Sequence, residues 1–89
     1  LIATVVFFGP DRGGRHSPPG RGYRPQLDLG DVQTSCVIDS GDLIESYAFD
    51  IEHTVSLTLM FPRYSDRVRP GDRFPLREGS RQIGVATIA

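Results

Sequence analysis

The chain contains no lysine, no asparagine and no tryptophan, and all ten of its basic residues are arginine. Without lysine it cannot complete the Gly-x-x-x-x-Gly-Lys-[Ser/Thr] loop that cradles nucleotide phosphates, so nucleotide binding by this chain alone through that motif is excluded. Lysine and asparagine both use A-rich codons. Their joint absence points to GC-rich coding and to a high-GC bacterium as the source. A single cysteine, Cys36, excludes an internal disulfide and a multi-cysteine zinc site. It is expected as a small buried residue of a strand. Two histidines, His16 and His53, supply no ligand set, so neither a metal nor a cofactor is expected. His16 adjoins Ser17, but sequence neighbours seldom make a nucleophile–base pair, so no catalytic residue is assigned and the chain is not expected to be an enzyme. No run approaches about 18 apolar residues, and no charged segment followed by an apolar one opens the chain. Neither a membrane span nor a secretory signal is expected, which favours a cytoplasmic location.

Length is consistent with one domain over residues 1–89, large enough to fold alone with a small core. Only 38% of the residues are apolar, so most apolar side chains must be buried. The net charge of −1 conceals segregation along the chain. Residues 11–24 carry Arg12, Arg15, Arg21 and Arg24 against Asp11 alone. Residues 28–52 carry seven carboxylates and no arginine, and residues 63–81 carry six arginines against Asp66, Asp72 and Glu78. Two outcomes are open: the basic segments meet and face an anion, or arginine–carboxylate pairs cancel across the surface.

Residues 2–8 are β-branched and aromatic and are stopped by Gly9-Pro10-Asp11, which predicts a strand. A basic loop rich in Gly and Pro follows, too punctuated for helix or sheet and too long for a plain connector. A strand is expected around Pro25–Leu29, then a turn at Gly30-Asp31. The next strand, Val32–Asp39, puts Val32, Thr34, Cys36 and Ile38 on one face and Gln33, Ser35 and Val37 on the other. Ser40-Gly41-Asp42 reads as a turn. Residues 43–53 fit neither period cleanly, and a short helical turn or an irregular strand is expected there. Residues 54–61 alternate clearly, with Val55, Leu57, Leu59 and Phe61 pointing one way, until Pro62 ends the strand. A charged loop over 63–72 leads to two last strands, Arg73–Glu78 and Arg81–Ile88. They are joined by Gly79-Ser80, which suits a type II′ hairpin. Pro75 cannot donate to a ladder, so an edge or bulge is expected at that position. Six short strands without an amphipathic helix predict an all-β fold, an antiparallel barrel or sandwich.

Three blocks of sequence carry a resemblance: Gly13-Gly14-Arg15-His16-Ser17-Pro18, Gly22-Tyr23-Arg24-Pro25-Gln26, and Arg73-Phe74-Pro75-Leu76-Arg77-Glu78-Gly79-Ser80-Arg81-Gln82-Ile83-Gly84. In order and spacing they resemble the C-terminal (third) domain of elongation factor Tu, whose pattern there runs Gly-Gly-Arg-His-Thr-Pro, Gly-Tyr-Arg-Pro-Gln and Arg-Phe-Ala-Ile-Arg-Glu-Gly-Gly-Arg-Thr-Val-Gly. The resemblance implies a six-stranded antiparallel Greek-key barrel that packs on other translation-factor domains, contacts the T arm of tRNA and meets a nucleotide exchange factor. The family's RNA-contacting positions fall on Arg15, His16, Gln26, Ser35 (threonine in the family), Glu78 and Gly79. Arg15 and His16 can donate to phosphate, Gln26 and Ser35 can reach 2′-hydroxyls, and Gly79 lets a backbone approach closely. Alternation independently turns Gln26 and Ser35 away from the apolar faces of their strands. Arg15 and Arg24 also have a simpler role open to them, fixing the loop.

The sequence departs from the family in three places. A lysine with which the family touches tRNA falls at Phe61, the loop before Arg73 is longer and carries Arg63, Arg67 and Arg69, and Ala48-Phe49-Asp50 replaces a Pro-Gly-Asp turn. The expectation is a non-enzymatic module that binds tRNA or another structured RNA. The alternative is a protein-interaction module that keeps the barrel and has lost RNA, for which the near-neutral charge and acidic middle segment speak.

Overall fold

A computed structural model describes residues 1–40 and 44–89. Its strands are β1 (Ile2–Phe7), β2 (Gln26–Asp28), β3 (Gln33–Asp39), β4 (Glu52–Leu59), β5 (Arg73–Glu78) and β6 (Arg81–Ile88). All neighbours are antiparallel, and the order β1-β4-β3-β2-β5-β6 closes through a β1–β6 ladder into a barrel. β2, β3 and β4 follow one another, while a long connection from β1 brings β1 beside β4; this is a Greek key. The fold is therefore the six-stranded antiparallel barrel, not the sandwich, and closure leaves no open strand edge.

Alternation builds the core. Ala3, Val5 and Phe7 of β1, Thr34, Cys36 and Ile38 of β3, and Val55 and Leu57 of β4 all point inward, joined by Leu27, Leu76, Ile83, Ala86 and Ile88. Each large apolar side chain so buried contributes roughly 1.5–3 kcal/mol. Cys36 lies in this core as expected, and burial pushes its thiol pKa up to about 12. Between β5 and β6 the register shifts after Leu76, which opposes Gly84, while Arg77 opposes Gln82. Ile83 is the extra residue, and the bulge lets consecutive Ile83 and Gly84 both face inward. Gly84 has to be small, because a Cβ there would lie 2.5 Å from the Val6 carbonyl oxygen.

Several expectations change in detail. β4 stops at Leu59, and Pro62 begins a 3-10 helix, Pro62–Arg67, with Phe61 as its N-cap residue. Phe61, which alternation assigns to the core side, is therefore 50% exposed. That helix occupies part of the stretch expected as a charged loop. Pro75 has no partner on β2 and lies next to the bulge, as the expected edge or bulge requires. It opposes Val85 on β6, outside the two-residue β2–β5 ladder, one residue before the register shift. Residues 44–51 form neither helix nor strand, but Tyr47 is fully buried and Ser46 bridges to Gly20. The turn expected at Ser40-Gly41-Asp42 lies, from Gly41 onward, outside the described residues. Gly79 has φ +61 and Ser80 has no positive φ, as a type II′ hairpin requires. Among the described residues no helix is long and apolar enough to cross a membrane.

Strand direction sets where the connections lie. The β1–β2 loop, the β3–β4 connection and the β5–β6 hairpin all leave from one end of the barrel. The β2–β3 turn and the β4–β5 connection leave from the other.

Candidate nucleic-acid interface

The basic loop is shaped at its start by glycine. Pro10–Arg12 makes a 3-10 turn, Gly13 follows at φ +72, and Gly14 folds back so that its amide donates to the Gly9 carbonyl at 2.9 Å. The Arg15 amide then donates to the Phe8 carbonyl at 2.9 Å. Farther on, the Pro19 carbonyl accepts from the Tyr47 amide at 2.8 Å, Gly20 bridges to Ser46, and Tyr23 bridges to Ile38. The loop is thus strapped across the barrel mouth at both ends and in the middle.

This anchoring brings Arg15 to the β5–β6 hairpin. Its Nη1 donates to Glu78 Oε2, its Nε donates to the Ser17 carbonyl at 3.0 Å, and its guanidinium lies 4.8 Å from the centre of the Tyr23 ring. The Tyr23 hydroxyl donates to the same Glu78 oxygen. Burial acts to raise the Glu78 pKa, but the hydrogen bonds from Tyr23 and Arg15 outweigh it and hold the carboxyl below its ordinary value. Tyr23 is shifted upward, first by burial and then by its bond to Glu78. For Arg15, burial lowers the pKa while the contacts with Tyr23 and Glu78 raise it, with a net rise. Arg81 reaches the same corner, its Nη1 3.5 Å from the Gly14 carbonyl.

A second group lies on the outer face of the sheet. Gln26 opposes Ser35 on β3 and Arg77 on β5. Its Nε2 donates to Ser35 Oγ at 2.9 Å. Arg77 Nε donates to Asp28 Oδ2 at 2.5 Å, and its Nη1 reaches the Ser80 carbonyl at 3.3 Å. Asp28 is held below its ordinary pKa, mainly by Arg77 and then by the Gly30 amide.

Arg15, Glu78 and Gly79 therefore share the barrel mouth, and Gln26 and Ser35 share the adjoining sheet row. Arg77 is the residue through which the two groups meet. His16 is exposed on the loop next to Arg15. Arg12 and Arg15 make ion pairs that help fix the loop, and Arg24 is exposed.

Arginine–carboxylate pairing, the second outcome, is seen, and the basic segments also come together. The two basic segments meet at Arg15, Glu78 and Arg81. Elsewhere they cancel against the acidic middle: Arg12 pairs with Asp50 at 3.0 Å, Arg67 with Asp31 at 2.5 Å and Arg77 with Asp28 at 2.5 Å. Three participants went unassigned in the sequence. Tyr23 lay in the Gly-Tyr-Arg-Pro-Gln block, and Asp28 and Arg77 share the outward phase of their strands with Gln26; their pairing needed the β2–β5 register.

Chemically the face offers donors and acceptors together. Arg15 retains guanidinium N–H groups beyond those given to Glu78 and Ser17. The Gln26 amide and Ser35 hydroxyl are paired with each other and can exchange that bond for a ribose hydroxyl. Glu78 can accept from a 2′-hydroxyl but opposes a phosphate. Among the described residues no group of three or more His, Cys, Asp and Glu side chains could hold a metal ion. No model of a known protein family matches the chain.

Proposed function

We propose that the chain is a non-enzymatic binding module, similar to the third domain of elongation factor Tu, that contacts a tRNA acceptor or T arm or a comparably structured RNA. The observation that supports this reading best is the contact between Arg15 and Glu78 across 63 positions of sequence. It joins the basic loop to the glycine-tipped hairpin, beside the Gln26–Ser35 row, in one continuous polar face. Arg15 and His16 donate to phosphates, Gln26 and Ser35 address 2′-hydroxyls, Glu78 accepts from one, and Gly79 leaves room for the backbone. Titration with tRNA over a range of salt tests this. Arg15→Ala is expected to weaken binding and to reduce the salt slope by about one. Equal binding by the wild type and an Arg15→Ala/Arg24→Ala variant at low salt rules it out.

A protein-interaction module is the second reading. The three ion pairs that cancel the basic segments against the acidic one favour it, as does the exposure of Ile51, Met60 and Phe61. Co-purification that recovers a protein partner without RNA would decide for it.

A further inference from the structure

Phe61 departs from its alternation pattern and stands half exposed where β4 ends. The Arg63 guanidinium lies 5.8 Å from the centre of its ring and 5.0 Å from that of Tyr64, and Arg63 Nη2 donates to the Tyr64 hydroxyl at 3.2 Å. Two rings and one planar cation are therefore gathered on a single surface arm. The neighbouring arginines are engaged elsewhere: Arg67 with Asp31, and Arg69 through its Nε with the Asp66 carbonyl at 3.4 Å. Among the described residues Arg63 is held by the two rings and the Tyr64 hydroxyl.

The arm leaves the end of the barrel opposite the Arg15–Gly79 mouth, and one sheet row links the two. The Met60 amide donates to the Ser35 carbonyl at 3.0 Å, so the sheet row Arg77–Gln26–Ser35 is extended by Met60 and leads into Phe61. Two strand spacings, about 10 Å, separate Gln26 from Met60.

We infer that Phe61, Arg63 and Tyr64 form a stacking platform for an unpaired base of the RNA held on the Arg15–Gly79 face. The inference rests on the RNA reading given under Proposed function. Every base offers a flat π-face, and both an aromatic ring and a guanidinium plane can take it without regard to sequence. The guanidinium, close to both rings, supplies the positive charge that a nucleotide needs. A guanidinium set against two rings favours a flat nucleotide that carries negative charge over a purely apolar partner.

The test uses the full 89-residue chain with two probes: a single-stranded RNA carrying a fluorescent adenine analogue, and a blunt RNA duplex. The wild type is expected to quench the analogue. Phe61→Ala should weaken single-strand binding roughly five- to hundredfold while leaving duplex affinity and its salt slope unchanged. Phe61→Tyr should restore binding, and Arg63→Lys, which keeps charge but loses the planar face, should fall between. Urea unfolding of Phe61→Ala matching the wild type shows that the barrel is intact. Single-strand binding without quenching, or unaffected by Phe61→Ala, overturns the platform alone, and so does a Phe61→Ala defect confined to a protein partner. Failure of both probes to bind overturns the platform together with the RNA reading.

Discussion

A side-chain carbon on Gly14 would lie 2.0 Å from the carbonyl oxygen of Phe8, the oxygen that also accepts the Arg15 amide. The basic loop therefore turns against backbone that cannot yield. Gly14→Ala is expected to force the loop off the end of β1, destabilise the protein by about 1–3 kcal/mol or more, and part Arg15 from Glu78. Gly22→Ala is the control. Its φ is +68 but nothing lies within 4 Å, so only backbone strain of about 1–2 kcal/mol is expected. Urea unfolding of both variants checks this; a Gly14→Ala no less stable than Gly22→Ala contradicts the close approach.

Thr34 faces the core from β3, and its buried hydroxyl has no hydrogen-bond partner among the described residues. Valine has nearly the same shape, keeps the β-branch suited to a strand, and removes the unsatisfied group. Thr34→Val should stabilise the protein by about 1–2 kcal/mol, seen as a higher urea midpoint at unchanged slope. A loss of stability would mean that the hydroxyl is satisfied in solution.

The two periods in the sequence made most of the barrel legible, because a strand with one face buried must alternate. Thr34, Cys36 and Ile38, and Val55 and Leu57, all lie where alternation puts them. Alternation failed where strands end. Phe61 keeps the phase of β4, but Pro62 redirects the chain before that phase can place it in the core. Tyr47, the largest fully buried side chain, lies in a stretch with no period at all. It is fixed by contacts distant in sequence, its amide to Pro19 and its ring 5.5 Å from that of Phe7. The candidate site was legible as residue types and not as partners. Register alone opposes Gln26 to Arg77, and loop anchoring alone brings Arg15 to Glu78.

Acid should weaken the fold through carboxylates held below their ordinary pKa. Asp28 and Asp31 are lowered from about 3.8, chiefly by Arg77 and Arg67. Glu78 is lowered from about 4.5 by Tyr23 and Arg15 against the opposing effect of burial. In each case the unfolded chain takes up its proton at higher pH than the folded one. The stabilisation is therefore complete above the ordinary values and is lost as pH falls through the folded ones. Asp28→Asn and Glu78→Gln should each lower stability at neutral pH and flatten the decline below about pH 4.5. Urea unfolding across that range measures it, and a variant that keeps the wild-type acid slope would clear its carboxylate of the role.

Tyr23 joins the loop, the barrel mouth and the hairpin through two separable features. Its ring packs edge-on to Phe7, with centroids 5.8 Å apart, and lies under the Arg15 guanidinium, while its hydroxyl donates to Glu78. Tyr23→Phe keeps the ring and deletes the donor. Because a bond to a carboxylate is lost at a partly exposed site, the expected cost is about 1 kcal/mol, at the low end for charged partners. Glu78 then relies on Arg15, with a smaller contribution from Arg81, against the burial that opposes its ionisation, so its pKa should rise toward the ordinary value. NMR titration of the Glu78 carboxyl reads that shift directly. An unchanged Glu78 pKa in Tyr23→Phe would show that Arg15 and Arg81 suffice, and the hydroxyl would then have no part in keeping Glu78 ionised at the corner where loop and hairpin meet.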